Sequence, residues 1–228
     1  VSNFAEIVNA FLLVYAALFP VVNPVGGAPI FLRLTQYTPA PQRPVLARGV
    51  AINSFLLLLG SLFIGSHVLV FFGITLPVVR IAGGLVVAAF GWQLLHQGDD
   101  IEAREQQPGP RSSGIDAFYP LTMPLTVGPG SISVAITLGS QRPASATDLA
   151  QLAVLGGGAL AGLLAVAATI YVCYRFASNI VTVLGERGTN VMMRLSAFLL
   201  FCIGIQIIWS GLRSLVPPSD FASLSLPL

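Results

Sequence analysis

Residues Phe19–Ile30 read FPVVNPVGGAPI, in the middle of an uncharged run from Ile7 to Leu32. The run has the length of a membrane helix, but Pro20, Pro24 and Pro29, with Gly26 and Gly27 between them, rule out a continuous one. Proline removes a backbone donor and clashes with the preceding turn, and glycine weakens a helix further. In the second half of the chain Phe118–Ile132 reads FYPLTMPLTVGPGSI, with Pro120, Pro124 and Pro129 at the same spacing. Two matching breaks in two apolar segments point to a shared role.

Composition sets the surroundings. The 228 residues are 55% hydrophobic and 9% charged, with a mean hydropathy of +0.84. A soluble domain carries roughly 25% charged residues because its surface faces water. The deficit, with several apolar runs long enough to cross a bilayer, places the chain in a lipid bilayer. A net charge of +2 without a basic cluster excludes nucleic acid as a partner. Cys173 and Cys202 lie in separate apolar runs and read as packing residues, since a redox pair would show a closer motif.

Six apolar segments follow in order: Ile7–Leu34, Gly49–Phe72, Val78–Leu95, Ile115–Leu138, Leu149–Tyr174 and Leu195–Leu212. Each approaches the 17–25 residues that span the hydrocarbon core, so the fold class is an all-α membrane protein with six transmembrane helices. Proline at 39, 41 and 44 breaks the first connection, and Gly185–Gly188 marks the last. The longest connection, Gln97–Ser113, divides a single membrane domain into residues 1–97, a cytoplasmic loop at 98–114 and residues 115–228.

Arginine placement sets the orientation. Arg33, Arg43, Arg48, Arg104, Arg111, Arg175, Arg187 and Arg194 follow the first, third and fifth segments, against Arg80, Arg142 and Arg213 on the other side. The richer side is expected to be cytoplasmic, with both termini outside. Three spans per half make the second half an inverted copy of the first, an arrangement of secondary transporters whose site lies where broken helices meet. The third spans echo one another as well, Gly91-Trp92-Gln93-Leu94 against Gly204-Ile205-Gln206-Ile207.

Broken backbone in lipid must be buried in protein or line a cavity. Pro29 and Pro129 are expected at the first turns of restarted helices. The N–H groups of Gly26, Gly27 and Ala28, and of Gly130, Ser131 and Ile132, would then suit a carboxylate. Carbonyls around Phe19–Val22 and Leu121–Met123, with Na⁺ sites near Val22 and Thr122, suit an ammonium group or a coupling cation. Together they fit a small zwitterion. Asn23, Thr122, Thr126 and Ser131 are candidate ligands, or else re-satisfy freed backbone. Asn53, Gln93 and Gln206 are expected to hydrogen-bond within the bundle, as interhelical glue or as ligand contacts. Gly83-Gly84 and the glycines from Gly156 to Gly162 read as close helix packing or sliding surfaces. No Asp or Glu lies deep in a segment, so a carboxylate proton relay is not evident. A membrane enzyme is disfavoured, because His67 and His96 fall near segment ends.

At NPVGGAPIFLRLT (Asn23–Thr35), FYPLTMPLTVGPGSI (Phe118–Ile132) and RIAGGLVVAAFG (Arg80–Gly91) the chain resembles the MarC family of bacterial and archaeal inner-membrane proteins, which includes small neutral amino acid transporters. The resemblance covers nearly the whole chain. It implies six spans in two inverted repeats and a substrate site at Asn23, Pro24, Val25 and Gly26 and at Thr126, Val127, Gly128, Pro129 and Gly130. It further implies transport of glycine, alanine and similar amino acids with cation coupling; Na⁺ and H⁺ are the candidate coupling ions, and a transporter or exporter of another small solute, or a channel, is the alternative. A homo-oligomer is left open.

Overall fold

The structure, a computed structural model, describes residues 2–104, 116–140 and 149–215. Its helices are α1 (Ser2–Val22), α2 (Pro24–Leu34), α3 (Arg43–Phe71), α4 (Leu76–Arg104), α5 (Pro129–Ser140), α6 (Leu149–Arg175) and α7 (Ala177–Arg213). Among the described residues five stretches are long and apolar enough to cross a membrane: Phe4–Val22, Ala40–Phe71, Leu76–His96, Ala153–Arg175 and Arg187–Arg213.

The fourth expected span is different. Between 115 and 138 the chain forms a π-helical turn at Leu121–Thr126, then the 12-residue helix α5, about 18 Å long. Proline at 120 and 124 removes two donors, and the turn closes instead through wide bonds, Thr122 N–H to Ala117 C=O at 3.1 Å and Val127 N–H to Thr122 C=O at 2.8 Å. Val127 is extended, and the helix restarts at Pro129, as the sequence predicts.

Other boundaries follow local chemistry. Gly73 (φ 66°) ends α3 in a Schellman turn, with Ile74 N–H on Leu69 C=O at 2.9 Å and Gly73 N–H on Val70 C=O at 3.1 Å. This turn reverses the chain into α4. The loop expected from Gln97 starts later, because α4 runs on to Arg104; the rest of that loop lies outside the described residues. Gly185 (φ 66°, ψ 178°) breaks α7 after Leu184, at the expected Gly185–Gly188 turn.

In lipid, apolar burial does not separate helix from tail, so close packing holds the bundle together. The most extensive contact is between α4 and α7. A Cβ at Gly84 would stand 2.8 Å from the Gly204 carbonyl, and one at Gly91 would stand 2.9 Å from the Ala197 carbonyl. These two helices run antiparallel. Helices α1 and α6 run parallel: Gly158 packs on Ile7, Gly162 on Phe11, and Tyr15 Oη meets Thr169 Oγ1 at 3.2 Å. Gly156 and Gly157 have nothing within 4 Å, so the predicted small-residue seam begins only at Gly158. Helix α3 packs on both α5 and α6, and α2 on α6 and α7. The core gathers Leu18, Val22, Ala28, Phe31, Leu58, Leu121, Val127, Leu163, Ile170 and Tyr174, and so surrounds both breaks.

Candidate functional site

The first break is a single residue. Asn23 takes the left-handed conformation (φ 46°, ψ 58°), which a short polar side chain tolerates best after glycine. Its Oδ1 accepts the Gly26 N–H at 3.1 Å and its carbonyl accepts the Gly27 N–H at 2.9 Å. Helix α2 restarts at Pro24, where a missing N–H costs nothing, and Pro29 lies inside α2. The expectation that Pro29 opens the restarted helix is therefore corrected to Pro24. Gly26 and Gly27 also do not offer free N–H groups, since Asn23 has taken both.

The second break uses hydroxyls in the same way. Thr122 Oγ1 donates to Ala117 C=O and Thr126 Oγ1 to Leu121 C=O, each at 2.7 Å, and Ser131 Oγ donates to Gly128 C=O at 2.9 Å. Of the candidate ligands, Asn23, Thr122, Thr126 and Ser131 all close freed backbone. The Ile132 N–H is taken by Gly128 C=O at 3.1 Å, whereas no acceptor among the described residues meets the Ser131 N–H. The Gly130 N–H likewise meets no acceptor among the described residues, so two anion-facing donors of the expected set remain, both at the start of α5. The Thr122 carbonyl accepts Val127 N–H, which leaves one lone pair for a cation. Among the described residues no cluster of His, Cys, Asp or Glu is arranged to hold a metal.

What joins the breaks is a residue the sequence reading passed over. Tyr174 on α6 is only 2% exposed and stacks on Phe31 of α2, with ring centroids 4.7 Å apart. Its hydroxyl lies 2.8 Å from Thr126 Oγ1. Because Thr126 donates its own proton to Leu121, Tyr174 is the donor in this pair. The same hydroxyl lies over Gly27, where an added Cβ would approach it to 2.6 Å. Ser196 of α7 fills the space over Gly26, 2.7 Å from an added Cβ. Gly130 turns toward Val87 and Gly83 of α4 rather than toward Gly26. Pro24 is buried and Val25 exposed beside them, and Gly128 and Pro129 lie at the edge of the second break.

The secondary candidates are placed elsewhere. Gln93 and Gln206 are exposed on α4 and α7, Asn53 is half-buried, and none of the three hydrogen-bonds among the described residues. The glue expected of them is not formed; hydroxyl-to-backbone bonds and glycine contacts hold these helices. Tyr174 had a signal of its own, a polar-tipped aromatic deep in an apolar run. Its partners come from two other helical elements, α2 and the π-helical turn, which no local pattern reveals.

Residues 8–216 match the family model described as MarC family integral membrane protein. The chain belongs to the MarC family. Within it, the chain is 28% identical over 223 residues to the inner membrane protein MarC of Salmonella typhimurium, covering 92% of this chain and 97% of that one. It is 29% identical over 218 residues to the membrane protein YvbG of Bacillus subtilis, covering 94% and 97%. A MarC protein of Citrobacter koseri is 29% identical over 217 residues, with coverage of 92% and 97%. No solved structure matches the chain. Membership in the MarC family agrees with the resemblance carried by Asn23–Thr35, Arg80–Gly91 and Phe118–Ile132.

Proposed function

We propose that this chain is a secondary transporter of small neutral amino acids, such as glycine and alanine, in a bacterial inner membrane. The observation that carries the reading is the meeting of two helix breaks on one buried hydroxyl, Tyr174, with Gly27 on one side and Thr126 on the other. Irregular backbone at membrane depth is a feature of transporter sites, where half-helix ends face the ligand. Tyr174 and Ser196 fill the space over Gly26 and Gly27, so this conformation is closed and a substrate enters only when they move.

Six crossings in two inverted repeats complete the proposal. Helix directions support it: α1 runs with α6, and α4 runs against α7. So does the α4–α7 contact. The register that aligns Gly91 with Gly204 also aligns Gly84 with Ala197, and swapping partners turns the Gly84–Gly204 contact into the Ala197–Gly91 contact. It further aligns Gly83 with Ser196, which pack on the restarted helices α5 and α2 respectively. The open N–H groups of Gly130 and Ser131 fit a carboxylate, and carbonyls near Val22 and Thr122 would take the ammonium group or a coupling Na⁺. Both termini are placed outside; a C-terminal alkaline phosphatase fusion that is inactive in cells would reverse this orientation.

Uptake of labelled glycine and alanine into proteoliposomes tests the function. We expect saturable uptake with counterflow, abolished by Gly26→Leu, whose side chain collides with Ser196. Transport without saturation would mark a pore instead, and full activity in Gly26→Leu would remove the proposed site.

A further inference from the structure

Away from the breaks, α3 and α6 enclose an open groove of about 490 Å³. Its lining combines small side chains, Ala51, Ala167 and Ala168, with the larger Ile52, Phe55 and Leu164. From Arg48 to Phe55 on one helix, and from Tyr171 to Leu164 on the other, it runs for about 10 Å along the bundle. That shape suits a linear hydrocarbon chain. The groove between α4 and α5, lined by Val79, Gly83, Pro129 and their neighbours, carries no charged residue. The α3–α6 groove ends on one.

Arg48 lines its mouth beside Tyr171. Arg43, one turn earlier, spends its guanidinium on Thr38 C=O at 3.2 Å and Gln36 C=O at 3.1 Å. Arg48 has no hydrogen bond or ion pair among the described residues. Asp116 is close along the chain to Ala117, which faces Gly49, but its carboxylate accepts from Phe118 N–H at 3.4 Å and does not pair with Arg48. Arg175, one turn beyond Tyr171 on α6, does not line the groove itself but donates to Tyr171 Oη at 3.2 Å, with its guanidinium 5.9 Å from that ring. Two arginines and a tyrosine at the end of an apolar groove form a headgroup site beside a chain site.

We propose that this groove binds an anionic phospholipid of the surrounding bilayer, with one acyl chain between α3 and α6 and its phosphate on Arg48 and Arg175. A guanidinium at the edge of the hydrocarbon with no partner among the described residues is costly, and a lipid phosphate supplies both countercharge and acceptors. The site does not depend on what the chain transports.

Native mass spectrometry of the purified chain, with phosphatidylglycerol or phosphatidylcholine added, tests this directly. Phosphatidylglycerol should be retained preferentially, and Arg48→Gln should weaken retention about fivefold, roughly the effect of one basic residue at an anionic surface. Arg48→Lys should restore most of it. If Arg48→Gln does not fold, Ala51→Leu with Ala168→Leu fills the groove while keeping both arginines and should expel the lipid. Equal retention of the two lipids, or of phosphatidylglycerol by Arg48→Gln or by the filled groove, overturns the proposal. So does thermal stabilisation by inorganic phosphate equal to that by phosphatidylglycerol, which would mean a free-anion site. A disulfide joining two copies through Ile52→Cys in phosphatidylcholine nanodiscs would assign the groove to a second copy and also overturn it.

Discussion

Tyr174 makes two kinds of contact that substitution can separate. Tyr174→Phe keeps the stack on Phe31 and removes the hydroxyl, so the hydrogen bond to Thr126 is lost. The expected cost is about 1 kcal/mol of stability, read as a lowered melting midpoint in detergent. The larger effect should fall on transport, because the hydroxyl touches both breaks. Asn23 gives a second test. Asn23→Ala loses the cap on Gly26 N–H and puts a residue without asparagine's local hydrogen bonding into a left-handed conformation, each costing about 1 kcal/mol. Asn23→Gly loses the same cap without the strain, so glycine should be the milder change by thermal melt. Alanine as mild as glycine would mean that the break relaxes elsewhere. At this scale the sequence showed where the chain breaks but not how it is mended. Asn23 and Thr126 looked like ligands because an Asx or hydroxyl side chain beside broken backbone serves ligand and backbone equally well.

Between elements, glycine position decides more than glycine count. Gly158 and Gly162 lie against α1, whereas Gly156 and Gly157 on the same helix have open space around them. Gly156→Ala should therefore stabilise α6 by about 0.5–1 kcal/mol through helix propensity. Gly158→Val should separate α6 from α1 and lower the melting midpoint. Equal effects at the two positions would mean that this contact does not hold the helices together. The run Gly156-Gly157-Gly158 looks uniform in sequence, and only the crossing point of α1 distinguishes its members. The fourth apolar segment shows a similar limit. Its hydropathy announces a span, but Pro120 and Pro124 convert its first part into a π-helical turn whose bond pattern no period reveals. The five uninterrupted spans were legible because twenty apolar residues without a break have few other uses.

At the scale of the molecule, the largest contact joins α4, from the first half, to α7, from the second. The halves should accordingly complement one another. Residues 1–104 and 116–228 co-expressed as separate chains should co-purify, and Gly91→Leu, which drives a side chain into Ala197 and Phe201, should abolish the pairing. Recovery of either half alone as a stable, monodisperse species would contradict this. The contact was half-visible in sequence. Gly91-Trp92-Gln93-Leu94 and Gly204-Ile205-Gln206-Ile207 resemble one another, but resemblance alone does not say that two segments touch.

The seam between α4 and α7 also sets an order of events during synthesis. Helix α4 enters the bilayer while α7 is still untranslated, so its row of Gly84 and Gly91 first meets lipid or the insertion machinery. Until the last helix arrives, that bare backbone face is open to any other helix nearby with small residues. A nascent chain of this kind gains from rapid completion, and a ribosome stalled between the two halves would leave it exposed to mispairing.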